Sequence, residues 1–266
     1  MLDLGIPFTR IYDPDRRRGR WVYRDVLHEN DRLLVVTGDA GVGKTLWTVN
    51  LLLALATGSP FMGVEPEPES TLPVCLYVDL DMGEDLVMDR FEQVGRGMGL
   101  TADTLEPRLA VVADTWSLGS IFEDGWQKLG ELLYKSQARW AVLESFLDLC
   151  GATLDPNNNS QVNHIVQRLL TKWPGINWIV VHHEGKSKWT PGGDVKAVQH
   201  RGIGAQALMK NATRNVSISR VNGVAGEEVR VVEHGKVRTG SQPKPYRYRM
   251  DGTPELVRLI RIEGGL

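Results

Sequence analysis

Eight consecutive residues, Gly38-Asp39-Ala40-Gly41-Val42-Gly43-Lys44-Thr45, carry the most specific chemistry in the sequence. They fit the spacing Gly-x-x-x-x-Gly-Lys-Thr. Glycines at these positions let successive backbone N–H groups turn toward one centre, because only glycine takes up positive φ at little cost. The apolar run Leu33 to Val36 ahead of them reads as a strand, and Leu46 to Ala56 behind them reads as a helix. That helix points its electropositive end at the same centre. The unit predicts a site for a nucleoside triphosphate, ATP first. Lys44 is placed for the outer phosphates and the Thr45 hydroxyl for Mg2+.

Cleaving a terminal phosphate needs a positioned water, a metal and neutralising charge from beyond the loop. Open parallel sheets bind ligands at the C-terminal ends of their strands, so acids are sought there. One apolar run ends in Asp79-Leu80-Asp81, with Glu84 and Asp85 close behind; another ends in Glu144. Asp81, just past a strand end, is the first candidate to orient water, with Asp79 and Glu84 as rivals. Glu144 is the candidate for the Mg2+ shell, acting through water. A third run ends in His182-His183, of which His183 is the candidate sensor of the terminal phosphate; strand-end packing is the alternative for the pair. A zinc site is disfavoured, since no cysteine or third histidine falls at ligand spacing.

The elements that must position these residues alternate along the chain. Strands are expected at Val74–Leu80, Leu109–Val112, Trp140–Leu143 and Trp178–Val181, and helices at Glu84–Val94, Ile121–Tyr134 and Gln161–Leu170. Gly95, Gly97 and Gly99 are read as breaking the first of these helices. Continuous apolar strands alternating with helices predict a parallel sheet covered on both faces. Four alternating runs, Asn215–Val221, Glu228–Glu233, Tyr246–Met250 and Leu256–Ile262, predict an antiparallel extension.

A chain of 266 residues can bury a full core as one α/β domain. The layout expected is an arginine-rich arm over 1–30 followed by a single domain over 31–266. The arm, with Arg10, Arg16, Arg17, Arg18, Arg20 and Arg24, serves phosphate or subunit contact, or is a solvated lead-in from which Trp21 and Val22 tuck against the core. A net charge of −2 argues against a generally basic polymer binder, while leaving local clusters open. Cys75 and Cys150 lie in apolar runs and read as buried thiols of a reducing compartment. The expectation is a soluble cytoplasmic protein with no membrane partner.

Taken together, the phosphate loop, the acid-ended strand at Val78–Asp81, the run ending Leu143-Glu144-Ser145 and the run ending Val181-His182-His183-Glu184-Gly185-Lys186 resemble the RecA-like ATPases, hexameric helicase branch, similar to RepA and DnaB. The likeness spans about residues 30–250. It implies a RecA-like P-loop core and a homo-oligomer, a hexamer first. It also implies that Lys236 and Arg238, in Lys236-Val237-Arg238-Thr239-Gly240, enter the neighbouring subunit's site, with Arg214 as the competing candidate. Two departures stand out: Glu144-Ser145 where the family has Asp-Ser, and Asp81 where it has its catalytic Glu. By the same resemblance, loops 151–160 and 184–205 face single-stranded or forked DNA. The second carries Lys186, Lys188, Lys196 and Arg201 for phosphates and Trp189 for base stacking.

The leading expectation is an ATP-hydrolysing helicase or translocase of phage or plasmid type replication or recombination. Two others are a metal-dependent nuclease on forked or branched DNA, using Asp79, Asp81, Glu84 and Asp85, and a non-motor ATPase that loads or regulates a partner.

Overall fold

The computed structural model describes residues 19–68, 72–105, 108–114, 124–150, 158–183, 205–222 and 227–262. Eleven strands run β1 Trp21–Tyr23, β2 Leu27–His28, β3 Leu33–Gly38, β4 Cys75–Asp79, β5 Leu109–Ala113, β6 Trp140–Glu144, β7 Asn177–His183, β8 Arg214–Asn222, β9 Glu228–Val237, β10 Tyr246–Thr253 and β11 Leu256–Ile262. Seven helices are described: α1 Lys44–Thr57, α2 Glu84–Met98, α3 Ala102–Leu105, α4 Asp124–Ser136, α5 Phe146–Cys150, α6 Asn159–Lys172 and α7 Ala205–Asn211.

Nine strands make one sheet in the order β11-β10-β9-β8-β3-β7-β6-β4-β5. From β8 to β5 every pairing is parallel, and β9, β10 and β11 extend the sheet antiparallel. The central strands are apolar throughout because successive side chains enter opposite cores. Leu34, Val36, Tyr77, Val142 and Val181 join α1 and α2 on one face. Leu33, Val35, Val78, Leu143 and Val180 join α4, α5, α6 and α7 on the other. Helix α1 is buried on nearly every side, so it behaves as an internal strut rather than a surface helix.

Three expectations change. The run beginning at Asn215 is not wholly antiparallel: β8 pairs parallel with β3, Leu34 level with Arg214 and Thr37 with Ser217, and antiparallel only with β9. Helix α2 is not broken at Gly95 or Gly97. It continues to Met98 and ends at Gly99, whose φ of 73° is left-handed. Gly97 is needed for contact, since a Cβ there would lie 1.9 Å from the Val257 carbonyl of β11. Helix α1 begins at Lys44, taking in the last two residues of the phosphate loop.

Residues 19–30 include β1 and β2, a two-stranded antiparallel sheet. It is tied to the main sheet by a buried ion pair. Asp31 accepts from Arg214 Nε at 2.7 Å, with both side chains fully buried, and also from the His28 amide at 2.8 Å and the Thr239 hydroxyl. Arg214 further donates to the Thr239 carbonyl at 3.0 Å and lies 4.8 Å from the Trp21 ring. Arg214 therefore staples three parts of its own chain, which removes it as the competing trans-acting residue.

Cutting one partner leaves the other charge buried without compensation. Arg214→Leu is expected to lower stability by about 3–5 kcal/mol, read from the urea unfolding midpoint. Unfolding unchanged from the native chain would mean that Asp31 finds another donor.

Candidate nucleotide site

The phosphate loop joins the end of β3 to the start of α1. Gly38 is level with His183 on β7, and Asp79 on β4 is level with Glu144 on β6, so the candidate residues collect at one edge of the sheet. Glycine is required at two points. A Cβ on Gly38 would lie 2.3 Å from the Ile218 carbonyl of β8, and one on Gly43, with φ of 99°, would lie 2.0 Å from Met250 Cε. Strands β8 and β10 thus press directly on the loop. Lys44 is buried, and its ammonium donates to the Gly38 and Asp39 carbonyls at 2.8 Å each.

Glu144 is buried between two hydroxyls. Thr45 Oγ1 donates to Oε1 at 2.5 Å, and Tyr77 from β4 donates to Oε2 at 2.6 Å. Burial lifts the Glu144 carboxyl to about 7, with a further push from the charge of Asp79; the two hydroxyl bonds and the Lys44 charge pull the other way. Burial likewise lifts Tyr77, reinforced by the neighbouring Glu144.

Asp79 and Asp81 have different surroundings. Asp79 is fully buried, and its Oδ1 accepts from the amides of Asp81 at 3.0 Å and Met82 at 2.6 Å. Burial raises its pKa, and these amide bonds moderate the rise. It shapes the turn that presents Asp81, whose own side chain is exposed. Glu84 lies exposed in the first turn of α2. Of the three, Asp81 combines exposure with a fixed backbone beside the edge.

His182 is buried, its ring edge-on to Phe146 at 5.8 Å, which is strand-end packing. The His183 side chain lies outside the described residues, as do Lys186, Lys188, Trp189, Lys196, Arg201 and residues 151–157. Lys236 and Arg238 are not at the phosphate edge of their own subunit. Val237 is level with Arg214, which is level with Leu34 near the start of β3. Lys236 donates to the carbonyls of Met209 at 3.1 Å and Lys210 at 2.6 Å, and Arg238 donates to that of Lys210 at 3.2 Å, at the end of α7.

Four residues near the loop escape a reading of the sequence. Tyr77 sits within an apolar run and shows nothing of its bond to Glu144. Arg220, Arg230 and Glu228 read only as polar strand positions. Arg220 faces Arg230 directly across β8 and β9, and both donate to carbonyls of the phosphate loop. The available signal is the placing of like charges at mirrored positions around one hairpin.

Residues 7–188 match the family described as AAA domain. The chain belongs to that family. No curated protein sequence matches this AAA domain. Among solved structures, it is similar to a KaiC-like protein of the hyperthermophilic archaeon Pyrococcus horikoshii OT3. The identity is 14% and the TM-score 0.55, over 86% of this chain and 88% of that one. At this identity the likeness is one of fold: a RecA- and KaiC-like α/β core with a mostly parallel sheet.

This AAA domain is a P-loop ATPase, and its residues suit ATP and Mg2+. Helix α1 begins with no side-chain cap on Gly43 and no acid in its first turn, which leaves its positive end to an outside anion. Gly38–Thr45 would hold the phosphates, and Thr45 with Glu144 would hold the metal. Bound there, Mg2+ neutralises charge on the outer phosphates. Among the described residues no helix is long and apolar enough to cross a membrane, and no cluster of three His, Cys, Asp or Glu side chains that could hold a metal ion forms.

Glu144 yields a pH prediction. Between 4.5 and about 7 the folded chain keeps a proton that the unfolded chain has lost, so Mg2+-free stability falls as pH rises through that window. The loss is on the order of 3 kcal/mol. Glu144→Gln is expected to abolish this dependence, to be the more stable protein at pH 8 in chemical denaturation, and to lose Mg2+-dependent ATP hydrolysis by about a hundredfold or more. A variant that keeps the native pH profile would assign the titration to another group.

Proposed function

We propose that this AAA domain is an ATP-driven motor on single-stranded or forked DNA, a helicase or translocase of phage or plasmid type replication or recombination, working as a ring and first of all as a hexamer. The observation that carries the reading is the place of Lys236 and Arg238. Four strand residues, roughly 13 Å along β3, separate their level from the loop in their own subunit. Held on the end of α7, they are remote from their own phosphates and available to a neighbour's. Helix α7 directly follows residues 184–204, the stretch that holds the candidate DNA contacts Lys186, Lys188, Trp189, Lys196 and Arg201. In this reading one end of α7 meets the trans-acting pair and the other continues into the DNA loop.

The catalytic roles follow the same line. Lys44 draws charge from the outer phosphates, Asp81 orients the attacking water, Glu144 and Thr45 hold Mg2+, and His183 reports the terminal phosphate to the loop after β7. The nuclease alternative is less favoured, because Asp79 Oδ1 already accepts from the amides of Asp81 and Met82 and shapes the turn.

A forked duplex labelled at one end, incubated with protein, Mg2+ and ATP, tests the reading on paired native and denaturing gels. Full-length separated strands are expected from the native chain and none from Lys44→Ala. Arg238→Ala is expected to hydrolyse ATP at least tenfold more slowly, and mixing it with Lys44→Ala should restore part of the rate, since some mixed interfaces join an intact loop to an intact arginine. Shortened strands would mark a nuclease. Unaltered DNA with steady ATP turnover would mark a non-motor ATPase, and no recovery on mixing would return Arg238 to a role within its own subunit.

A further inference from the structure

A loop that turns its N–H groups inward turns carbonyls outward, where donors from the protein or from water meet them. Lys44 serves Gly38 and Asp39 from within. Gly41 and Val42 are served from the hairpin of β8 and β9: Arg220 Nη2 donates to the Gly41 carbonyl at 2.7 Å, and Arg230 Nε reaches that of Val42 at 3.4 Å.

The two arginines lie directly opposite each other, an arrangement that costs energy unless a negative charge offsets it. Glu228 does so. Its Oε1 lies 2.6 Å from Arg220 Nε and 2.8 Å from Arg230 Nη2, and its backbone carbonyl accepts from Arg230 Nη1 at 3.2 Å. Arg230 is almost wholly covered and pairs in register with Tyr248 of β10, whereas the Arg220 side chain is 51% exposed. The buried arginine and the acid thus fix the position of the exposed one, which holds the tip of the phosphate loop. A surface ion pair with no further task would not need a third partner in the loop backbone.

We propose that Arg220 and Arg230, tethered by Glu228, are positioning residues that hold the phosphate loop in its anion-binding shape before the nucleotide arrives. The inference rests on ATP binding by this loop and not on the DNA reading. Both contacts come from the same chain as the loop, so the device works without a neighbouring subunit. Ordering the loop in advance removes that entropy cost from the binding step, and its loss falls on affinity rather than turnover.

Arg220→Gln in the full chain tests the proposal by two readouts. In nucleotide-free protein, amide hydrogen exchange over residues 39–43 is expected to rise about tenfold, the worth of one charge-assisted hydrogen bond at a half-exposed site. In steady-state ATP hydrolysis KM is expected to rise by a similar factor with kcat within about twofold. Arg220→Lys should recover part of both changes. Glu228→Gln should move them in the same direction, and the double variant should show less than the product of the two single effects. Exchange and KM both unchanged in Arg220→Gln would overturn the proposal. So would a fall in kcat at constant KM, which would instead place the Arg220 charge on the transition state. If exchange quickens but even the native chain binds no ATP by calorimetry, the positioning role stands and the nucleotide reading fails.

Discussion

The site depends on one buried carboxylate. Glu144 ends β6 beneath the phosphate loop, where its charge is costly to maintain, and a hydroxyl on each side makes it tolerable. One comes from Thr45 in the first turn of α1 and the other from Tyr77 on β4. These bonds fix how far α1 stands from β6, although β7 lies between β3 and β6 in the sheet. At the length of a glutamate side chain the carboxylate meets both hydroxyls at once.

The centre of the fold was legible in the sequence because local signals agreed there. The phosphate loop, its strand and its helix are consecutive, and the apolar runs of β4, β6 and β7 report directly that both faces are covered. The extension was less legible. The alternation of Asn215, Val216, Ser217 and Ile218 reports which face is buried and is silent on strand direction, so β8 read as antiparallel although its contact with β3 is parallel. Gly95 and Gly97 read as breaks because propensity is local, whereas the demand for Gly97 comes from β11, far along the chain. Arg214 read as a competing trans-acting candidate because its partner, Asp31, lies 183 positions away. Helix α7, with seven residues, is too short to show a period.

At the site, legibility followed the same division. Gly38 and Gly43, whose role lies in backbone geometry, and Lys44 at its fixed place beside them could be read from spacing. Asp81 could be ranked ahead of Asp79 from its place just past the strand end, but the burial and the amide bonds that make Asp79 the cap of the turn are not written in the local sequence. Tyr77, Arg220, Arg230 and Glu228 act by reaching across strands distant in the chain, and no window of sequence contains both ends of such a contact. The turn capped by Asp79 carries Asp81 beyond the strand end and leaves its side chain exposed.

The order of strands has a consequence for the chain as it emerges from the ribosome. Both neighbours of β3 are encoded far downstream, β7 beginning at Asn177 and β8 at Arg214, while Asp31 waits for Arg214 and Thr239. The strand that bears the phosphate loop is made early and stays unpaired on both edges until most of the protein has been synthesised. Pairings of such long sequence separation form slowly, and open strand edges attract other chains in the meantime. A nascent chain cut short before β8 therefore presents the loop motif with one edge of its strand still open, and that apolar edge is in need of shelter by a chaperone.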